Sequence, residues 1–224
     1  MSNQIFFGAF VGFLLIAGLP AASSAQVSTG ISLDSDGLRG FYLSVGDYYH
    51  VPEREVIVVR ERRVPDDELP VVFFMASHAH VAPGVIVDLR LDGWSWSRIS
   101  LHYGVGPDVY YVPVAFEVSG PPYGNAYGHY KKRPKKEWST IRLTDSDIVN
   151  FVNLRFISHH MGIPPEDVIR MRSGGKSFTV IHEDVRKIQV KEKAAKGGKR
   201  SSQAGKAKDA KEKGGKGKGK GKSK

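Results

Sequence analysis

Four histidines are the residues of this chain best suited to holding a metal ion. His78 and His80 lie in one segment, and His159 and His160 lie in another. Imidazole nitrogens bind zinc, nickel and copper, and His78 and His160 would approach each other if the two segments packed about a twofold axis. The sequence lacks the H-E-x-x-H pattern, and the helix dipole also favours a histidine at a helix C-terminus. We therefore expect a structural role and no bound cofactor, with metal binding as the alternative.

Aromatic and basic residues alternate between residues 123 and 138, which makes this segment the best candidate for a binding surface. Aromatic faces beside cations can stack on sugars or bases and pair with phosphates. The surrounding glycines and prolines favour a loop, and loops often carry binding residues. The alternative is a connector whose tyrosine rings pack on neighbouring helices. The candidate ligand-binding residues are Tyr123, Tyr127, Tyr130, Lys131, Lys132, Arg133, Lys135, Lys136 and Trp138.

Catalytic motifs are not evident elsewhere in the chain. Residues 174–177 read GGKS, but a phosphate-binding loop needs a glycine five residues before Gly175, where Arg170 stands. The acidic clusters at 66–68 and 166–167 precede predicted helices, where the helix dipole explains them. The chain has no cysteine, which excludes disulfides, thiolate metal sites and a cysteine nucleophile. We expect no catalytic residue.

The elements around these residues form an internal repeat. Residues 74–96 align with residues 156–178. Each copy predicts a first helix, a proline turn, a short second helix ended by glycine, and a third helix after a serine cap. The anchoring pairs are Phe74 with Phe156, His78 with His160, Pro83 with Pro165, Arg90 with Arg172, Gly93 with Gly175, and Ser95 with Ser177.

This unit resembles a pattern of uncharacterised exported bacterial proteins, in which a proline-led short helix ends before a glycine and a large aromatic residue. The resemblance covers about half of the expected mature chain and implies no catalytic residue. The unit also resembles a helix-turn-helix, but Asp88 and Asp92 flank Arg90, so we expect no specific binding of nucleic acid. The residues that carry the first resemblance are Leu89, Arg90, Gly93 and Trp94, then Met171, Arg172 and residues 175–178.

The N-terminus has the features of a secretory signal peptide. Residues 5–19 form an apolar run, and Pro20 and small residues through Ala25 follow it. Small side chains at Ser23 and Ala25 match the cleavage pattern, which predicts a signal peptide over residues 1–25. The apolar run is shorter than the roughly 20 residues that span a bilayer, so we expect no transmembrane segment after cleavage. A retained anchor is the alternative. The mature protein would be exported, and periplasmic in a Gram-negative host.

The net charge of +10 is concentrated at the C-terminus. Residues 191–224 carry thirteen lysines and one arginine against three acidic residues, or +11, which leaves −1 for residues 1–190. This segment has almost no large apolar side chain, so we expect it to be disordered. Its charge predicts binding to polyanions without sequence specificity. After export these would be lipopolysaccharide, anionic lipid or cell-wall polymers, and a purely solubilising tail is the alternative.

The sequence as a whole predicts a mainly α protein of the α+β class, with two related three-helix units, a short N-terminal β-ribbon and a disordered C-terminal tail. The ribbon is inferred from apolar alternation over residues 40–49 and a β-branched run at 55–60. We expect a non-enzymatic envelope protein with a helical binding or scaffold body and a tethering tail. A metal-binding protein and a glycan-acting enzyme are the alternatives. The expected segments are 1–25 (signal peptide), 26–39 (linker), 40–64 (β-ribbon), 65–104 (first repeat), 105–143 (insert), 144–190 (second repeat) and 191–224 (tail).

Overall fold

The protein is helical in the part that the structure, a computed structural model, describes. That part comprises residues 35–213, with side chains to residue 195, and it contains no β-strand. The predicted signal peptide, most of the predicted linker and the tail beyond residue 213 lie outside it. Short 3-10 helices at Asp66–Glu68, Pro107–Tyr110 and Lys135–Thr140 join some of the α-helices. The α-helices are α1 (Ser35–Tyr49), α2 (Glu53–Glu61), α3 (Leu69–Ala79), α4 (Pro83–Leu91), α5 (Trp96–His102), α6 (Gly124–Lys131), α7 (Asp145–Met161), α8 (Pro165–Ser173) and α9 (Phe178–Lys213).

The predicted β-ribbon over residues 40–64 is wrong, because this segment forms α1 and α2. The buried residues Phe41 and Val45 are four apart in α1, and the buried residues Val56 and Val59 are three apart in α2. Both spacings place apolar side chains on one helical face. That face packs on the other helices, and the burial outweighs the β-propensity of the valines and tyrosines.

The two repeated segments form three-helix units whose boundaries match. The helices α4 and α8 begin at Pro83 and Pro165 and are both nine residues long. The helices α5 and α9 begin at Trp96 and Phe178, which are the aligned positions of the repeat. Proline suits the first turn of a helix because its φ is already helical and its missing N–H would have no partner there. Local sequence signals therefore set the start of corresponding helices.

The chain also turns at corresponding positions in the two units. The C-caps of α3 and α7 are His80 and Gly162, with left-handed φ angles of 57° and 63°. Only glycine adopts this conformation without a steric cost. The side chains of Ser95 and Ser177 each accept a backbone N–H from the residue three positions later. These bonds cap the first turn of α5 and of α9.

The core lies where α3 packs against α7. All residues of α3 from Leu69 to Ala76 are buried, and α7 buries residues along most of its length. The helix α1 packs on α7 and α9, and α2 packs on α3 and α4. Within residues 35–213, no single helix is long and apolar enough to cross a membrane, although the bent pair Asp66–Ala79 and Pro83–Leu91 reaches that length and composition together.

Two segments contain more helix than the sequence predicts. The insert, residues 105–143, contains α6 despite its glycines, because Tyr127 and Tyr130 bury their rings on one side of that helix. The helix α9 continues to Lys213, so the disorder predicted from residue 191 does not hold for residues 191–213. Lysine, alanine and glutamate have high helix propensity, and the packed start of α9 supplies the helical nucleus that an isolated tail would lack.

Candidate functional site

The predicted binding residues of the insert surround a surface groove of about 790 Å³. The groove lies between α6 and the segment from Tyr111 to Gly120, and Trp138 lines it from the 3-10 helix that follows α6. Its volume falls within the range of about 300–1,000 Å³ that is common for ligand sites. Of the nine predicted residues, the groove is lined by Tyr127, Tyr130, Lys131, Lys132 and Trp138.

Three of the predicted stacking rings belong largely to the core. Tyr123, Tyr127 and Tyr130 are 1%, 7% and 3% exposed, and each packs against Phe151. Burial raises the pKa of all three hydroxyls, so they remain protonated hydrogen-bond donors at neutral pH. They anchor the insert to the helical units, and their faces are not free for stacking on a ligand. The hydroxyls donate to the carbonyl oxygens of Asn150, Val112 and Pro107 respectively.

The groove instead offers a smaller aromatic surface and a cationic rim. Phe116 is 41% exposed, and the partly exposed rings of Tyr111 and Trp138 lie 4.6 Å apart. The Trp138 indole N–H donates to the carbonyl oxygen of Arg133 at 3.1 Å, which holds the ring in place. Of the predicted cations, Lys131, Lys132, Lys135 and Lys136 are exposed and Arg133 is half-buried.

The groove lining carries one net positive charge, because Lys131 and Lys132 face a single carboxylate. Among the described residues that line it, Glu117 is the only carboxylate, and Lys131 donates to this group at 2.5 Å. The bond from Lys131 lowers the pKa of Glu117.

Glycoside hydrolysis generally requires two carboxyl groups about 5–9.5 Å apart. The groove lining therefore supplies cations and one paired acid, without the acid–base pair that such an enzyme uses.

The first histidine pair is engaged in local contacts. The Nδ1 atom of His78 lies 2.8 Å from the carbonyl oxygen of Phe74, and its ring packs on the Phe74 ring. His80 is the left-handed C-cap of α3. Both histidines thus make local contacts near the C-terminal end of α3.

The second histidine pair lies beside α1. The Nδ1 atom of His159 is 3.4 Å from the hydroxyl of Tyr48, and the ring of His160 packs edge-on against Tyr48. Burial lowers the pKa of His160, which favours its neutral form. In the described part of the chain, no group of three or more His, Asp or Glu side chains is placed to hold a metal ion.

Carboxylates that connect the two units were not predicted from the sequence. Arg90 pairs with Glu68 through two bonds of 2.9 Å and with Asp145, at the start of α7, at 3.0 Å. In the reverse direction, Asp67 of the first unit accepts the backbone N–H groups at the start of α9. Each unit thus extends an acid to the other. The aligned arginines were visible in the repeat, but the position aligned with Glu68 holds Asn150, which accepts a bond from Arg172, and the position aligned with Asp145 holds Arg63.

A buried pair formed by Ser44 and His182 was also missed. The Nε2 atom of His182 lies 2.8 Å from the Ser44 hydroxyl, and the ring is 1% exposed. Its Nδ1 atom has no hydrogen-bond partner among the described residues. A serine nucleophile needs a base that a third group orients, and this second nitrogen has none within residues 35–195. Burial, with His160 nearby, lowers the pKa of His182 to about 4.

Comparisons of this chain with protein-family models, curated proteins and solved structures find no match.

Proposed function

We propose that this protein is a non-enzymatic, exported cell-envelope protein. Its helical body acts as a binding or scaffold domain, and its basic C-terminal segment attaches it to polyanions of the envelope, such as lipopolysaccharide, anionic lipid or cell-wall polymers. The observation that carries this proposal is the separation of charge, with +11 on residues 191–224 and −1 on residues 1–190. The apolar run at residues 5–19 supports export.

The length of α9 supports the role of the basic segment as an extension of the body. A helix of 36 residues is about 54 Å long at 1.5 Å per residue. A folded body of roughly 150 residues is about 40 Å across, so α9 is longer than the body is wide. The amide of Gln189 donates to the carbonyl oxygen of Met161 at 2.6 Å, and residues 191–195 are exposed. Lys191 and Lys193, at the start of the basic segment, are therefore available to a surface.

The energy of attachment would come from many weak and additive contacts. Each lysine or arginine near an anionic membrane contributes about 1 kcal/mol, and binding to polyanions weakens steeply with salt because counterions are released. Fourteen cations in residues 191–224 are sufficient for micromolar attachment even if only somewhat more than half of them engage, since micromolar affinity corresponds to about 8 kcal/mol.

The test uses the chain from residue 26 to 224 and sedimentation with vesicles that contain phosphatidylglycerol. Replacement of six lysines by glutamine near the C-terminus should weaken binding by at least about 100-fold. Neutral phosphatidylcholine vesicles should not bind, and raising the salt from about 50 to 200 mM should release the wild-type chain. Binding that survives both the substitutions and the salt would refute attachment through the tail. The six lysines are Lys211, Lys213, Lys216, Lys218, Lys220 and Lys222.

A matched variant separates the tail from the groove. Lys131→Gln with Lys132→Gln removes two exposed cations at the groove and leaves residues 191–224 intact. We expect its affinity for the vesicles to fall by less than about tenfold, because neither lysine belongs to the tail. If this variant loses binding and the tail variant keeps it, the insert groove is the attachment site instead.

A further inference from the structure

The third helices of the two units have equivalent faces, and one of these faces is more fully covered than the other. In the alignment of the repeat, Ser97, Ser100, Leu101 and Gly104 of the first unit correspond to Thr179, His182, Glu183 and Arg186 of the second. The first three members of each set lie on one side of α5 and of α9, because their spacing of three and four residues follows the helical period. Gly104 follows the end of α5, whereas Arg186 continues α9. Differences between these faces therefore reflect what packs over them.

In the second unit this face lies under α1. The ring of Phe41 packs edge-on against His182 at 5.5 Å, and Ser44 is bonded to His182 at 2.8 Å. Gly40 lies so close to Arg186 that an added Cβ would be 3.6 Å from its Nε atom. As a result, Glu183 is only 4% exposed.

In the first unit the equivalent face is open at Leu101 and Gly104. Leu101, which corresponds to the buried Glu183, is 71% exposed. The segment that packs here is the 3-10 helix Pro107–Tyr110, which has four residues where α1 has fifteen. The Tyr110 hydroxyl lies 2.5 Å from the Ser100 hydroxyl, as Ser44 meets His182 in the other unit. The shorter element thus helps to cover Ser100, which is 6% exposed, and Asp145 of α7 bonds to Ser97, but nothing comparable to α1 covers Leu101.

A pocket of about 240 Å³ occupies the uncovered space. Leu101 and Val105 line one part of it, and Ile141, Leu143 and Ile148 line another. Ile141 and Ile148 are 3% and 1% exposed, so the apolar lining is held firmly by the core. An apolar cavity of about 150 Å³ accommodates benzene, and this pocket has room for one such ring and a short polar group.

The polar part of the pocket favours an anionic head group. Arg142 contributes to the lining and is exposed, and no ion pair involves it in the described part of the chain. Ser97 and Ser139 also line the pocket, and the Ser97 hydroxyl donates to Asp145, whose charge is paired with Arg90. An arginine pairs most effectively with a carboxylate, through two parallel hydrogen bonds.

We propose that this pocket binds a small monocarboxylate with an aromatic or branched apolar body. The apolar body occupies the space beside Leu101, and the carboxylate pairs with Arg142. The pocket lies on the folded body, and its ligand is distinct from the polyanions assigned to the C-terminal segment, so the two proposals can fail independently.

The test uses the chain from residue 26 to 224 and phenylacetate as the probe, with 2-phenylethanol as its neutral counterpart. Binding is followed by NMR shifts of the pocket residues and by isothermal titration calorimetry. We expect a dissociation constant of about 1 mM for phenylacetate, the weak affinity of a fragment-sized ligand. The alcohol should bind about tenfold more weakly, because it lacks the charge-assisted bonds to Arg142.

Two variants with matched controls locate the site. Leu101→Trp places a larger ring over the pocket and should abolish binding, and Arg142→Gln should weaken it by about tenfold or more. The controls are Leu91→Trp, at a leucine that is 53% exposed outside the pocket, and Arg54→Gln, at an exposed arginine of α2. Both controls should bind as the wild type does.

Three results would overturn the proposal. The first is the absence of saturable phenylacetate binding, and the second is binding that Leu101→Trp leaves unchanged. The third is equal affinity for the acid and the alcohol. A synthetic peptide of residues 35–49, the sequence of α1, is tested in parallel. If this peptide binds in a manner sensitive to Leu101→Trp and phenylacetate does not bind, the open face is a docking site for a helix and the proposed ligand is wrong.

Discussion

Acidification from pH 7 to pH 5 is expected to destabilise this protein by about 2 kcal/mol through His182 alone. The His182 ring is 1% exposed and lies against Phe41 and Phe156. One of its nitrogens is bonded to Ser44, and the other has no partner among the described residues. Protonation would place a positive charge in this apolar surrounding, and for this reason the pKa of His182 falls to about 4.

The sign and size of the effect follow from the difference between the folded and unfolded states. In the unfolded chain the pKa of a histidine is about 6.5, so between pH 4 and 6.5 the unfolded state binds more protons than the folded state. The free energy of unfolding therefore falls as pH decreases through this window. A gap of about 2.5 pKa units gives a loss of about 2 kcal/mol at pH 5 and about 3 kcal/mol at pH 4. Above pH 7 the contribution is essentially complete.

The assay is urea unfolding at several pH values between 7 and 5, for the wild type, His182→Gln and the control His129→Gln. Glutamine keeps a hydrogen-bonding group beside Ser44 but does not titrate. We expect the free energy of unfolding of His182→Gln to change by about 2 kcal/mol less than that of the wild type over this range. The control His129→Gln, at an exposed histidine of α6, should leave the pH dependence of the wild type intact. If the free energy of unfolding depended on pH equally in the wild type and in His182→Gln, the assignment of a depressed pKa to this buried ring would be refuted.

Two further predictions concern stability and are measured by the same unfolding assay at neutral pH. Arg90→Ala leaves the carboxylate of Glu68, only 17% exposed, without its partner and should cost about 2–4 kcal/mol. The control Arg39→Ala removes an arginine that is 70% exposed beside Glu53 and should cost less than about 1 kcal/mol. Equal losses would contradict the role of the partly buried ion pair. In α1, a Cβ added at Gly46 would lie 2.9 Å from a backbone oxygen, so Gly46→Ala should cost about 1–3 kcal/mol. A Cβ added at Gly40 would make only ordinary contacts, so Gly40→Ala should leave the free energy of unfolding unchanged or raise it by up to about 1 kcal/mol. A loss of stability as large as that of Gly46→Ala would contradict this difference in packing.

The repeat was predictable because short-range signals mark its boundaries. Proline at the start of α4 and α8 and serine before α5 and α9 act within one helical turn, and they occur at aligned positions in both copies. Gly93 and Gly175, which follow α4 and α8, adopt a positive φ where the chain leaves each helix. Such signals need no knowledge of distant residues.

The N-terminal helices were mispredicted because their apolar residues fit two periods in a short window. Over residues 40–49 the choice between strand and helix depends on which side chains meet the core. The helix α1 meets α9, which is far from it in the sequence, as the contact between Ser44 and His182 shows. The tyrosines of the insert show the same limit. Their alternation with lysines resembles a stacking surface. In the structure the three rings are instead buried in the core, where each packs against Phe151 of α7.

The sequence by itself determined the duplicated helical unit, the absence of thiol chemistry and the concentration of positive charge in residues 191–224. These properties depend on composition and on interactions within a few residues. The tertiary structure alone decided which faces of the two units are covered, and therefore where an open pocket and a buried histidine lie. The local patterns of α5 and α9 are alike, but α1, a helix of fifteen residues, packs over α9, and a 3-10 helix of four residues packs over α5. That difference arises from long-range packing, which no local pattern encodes.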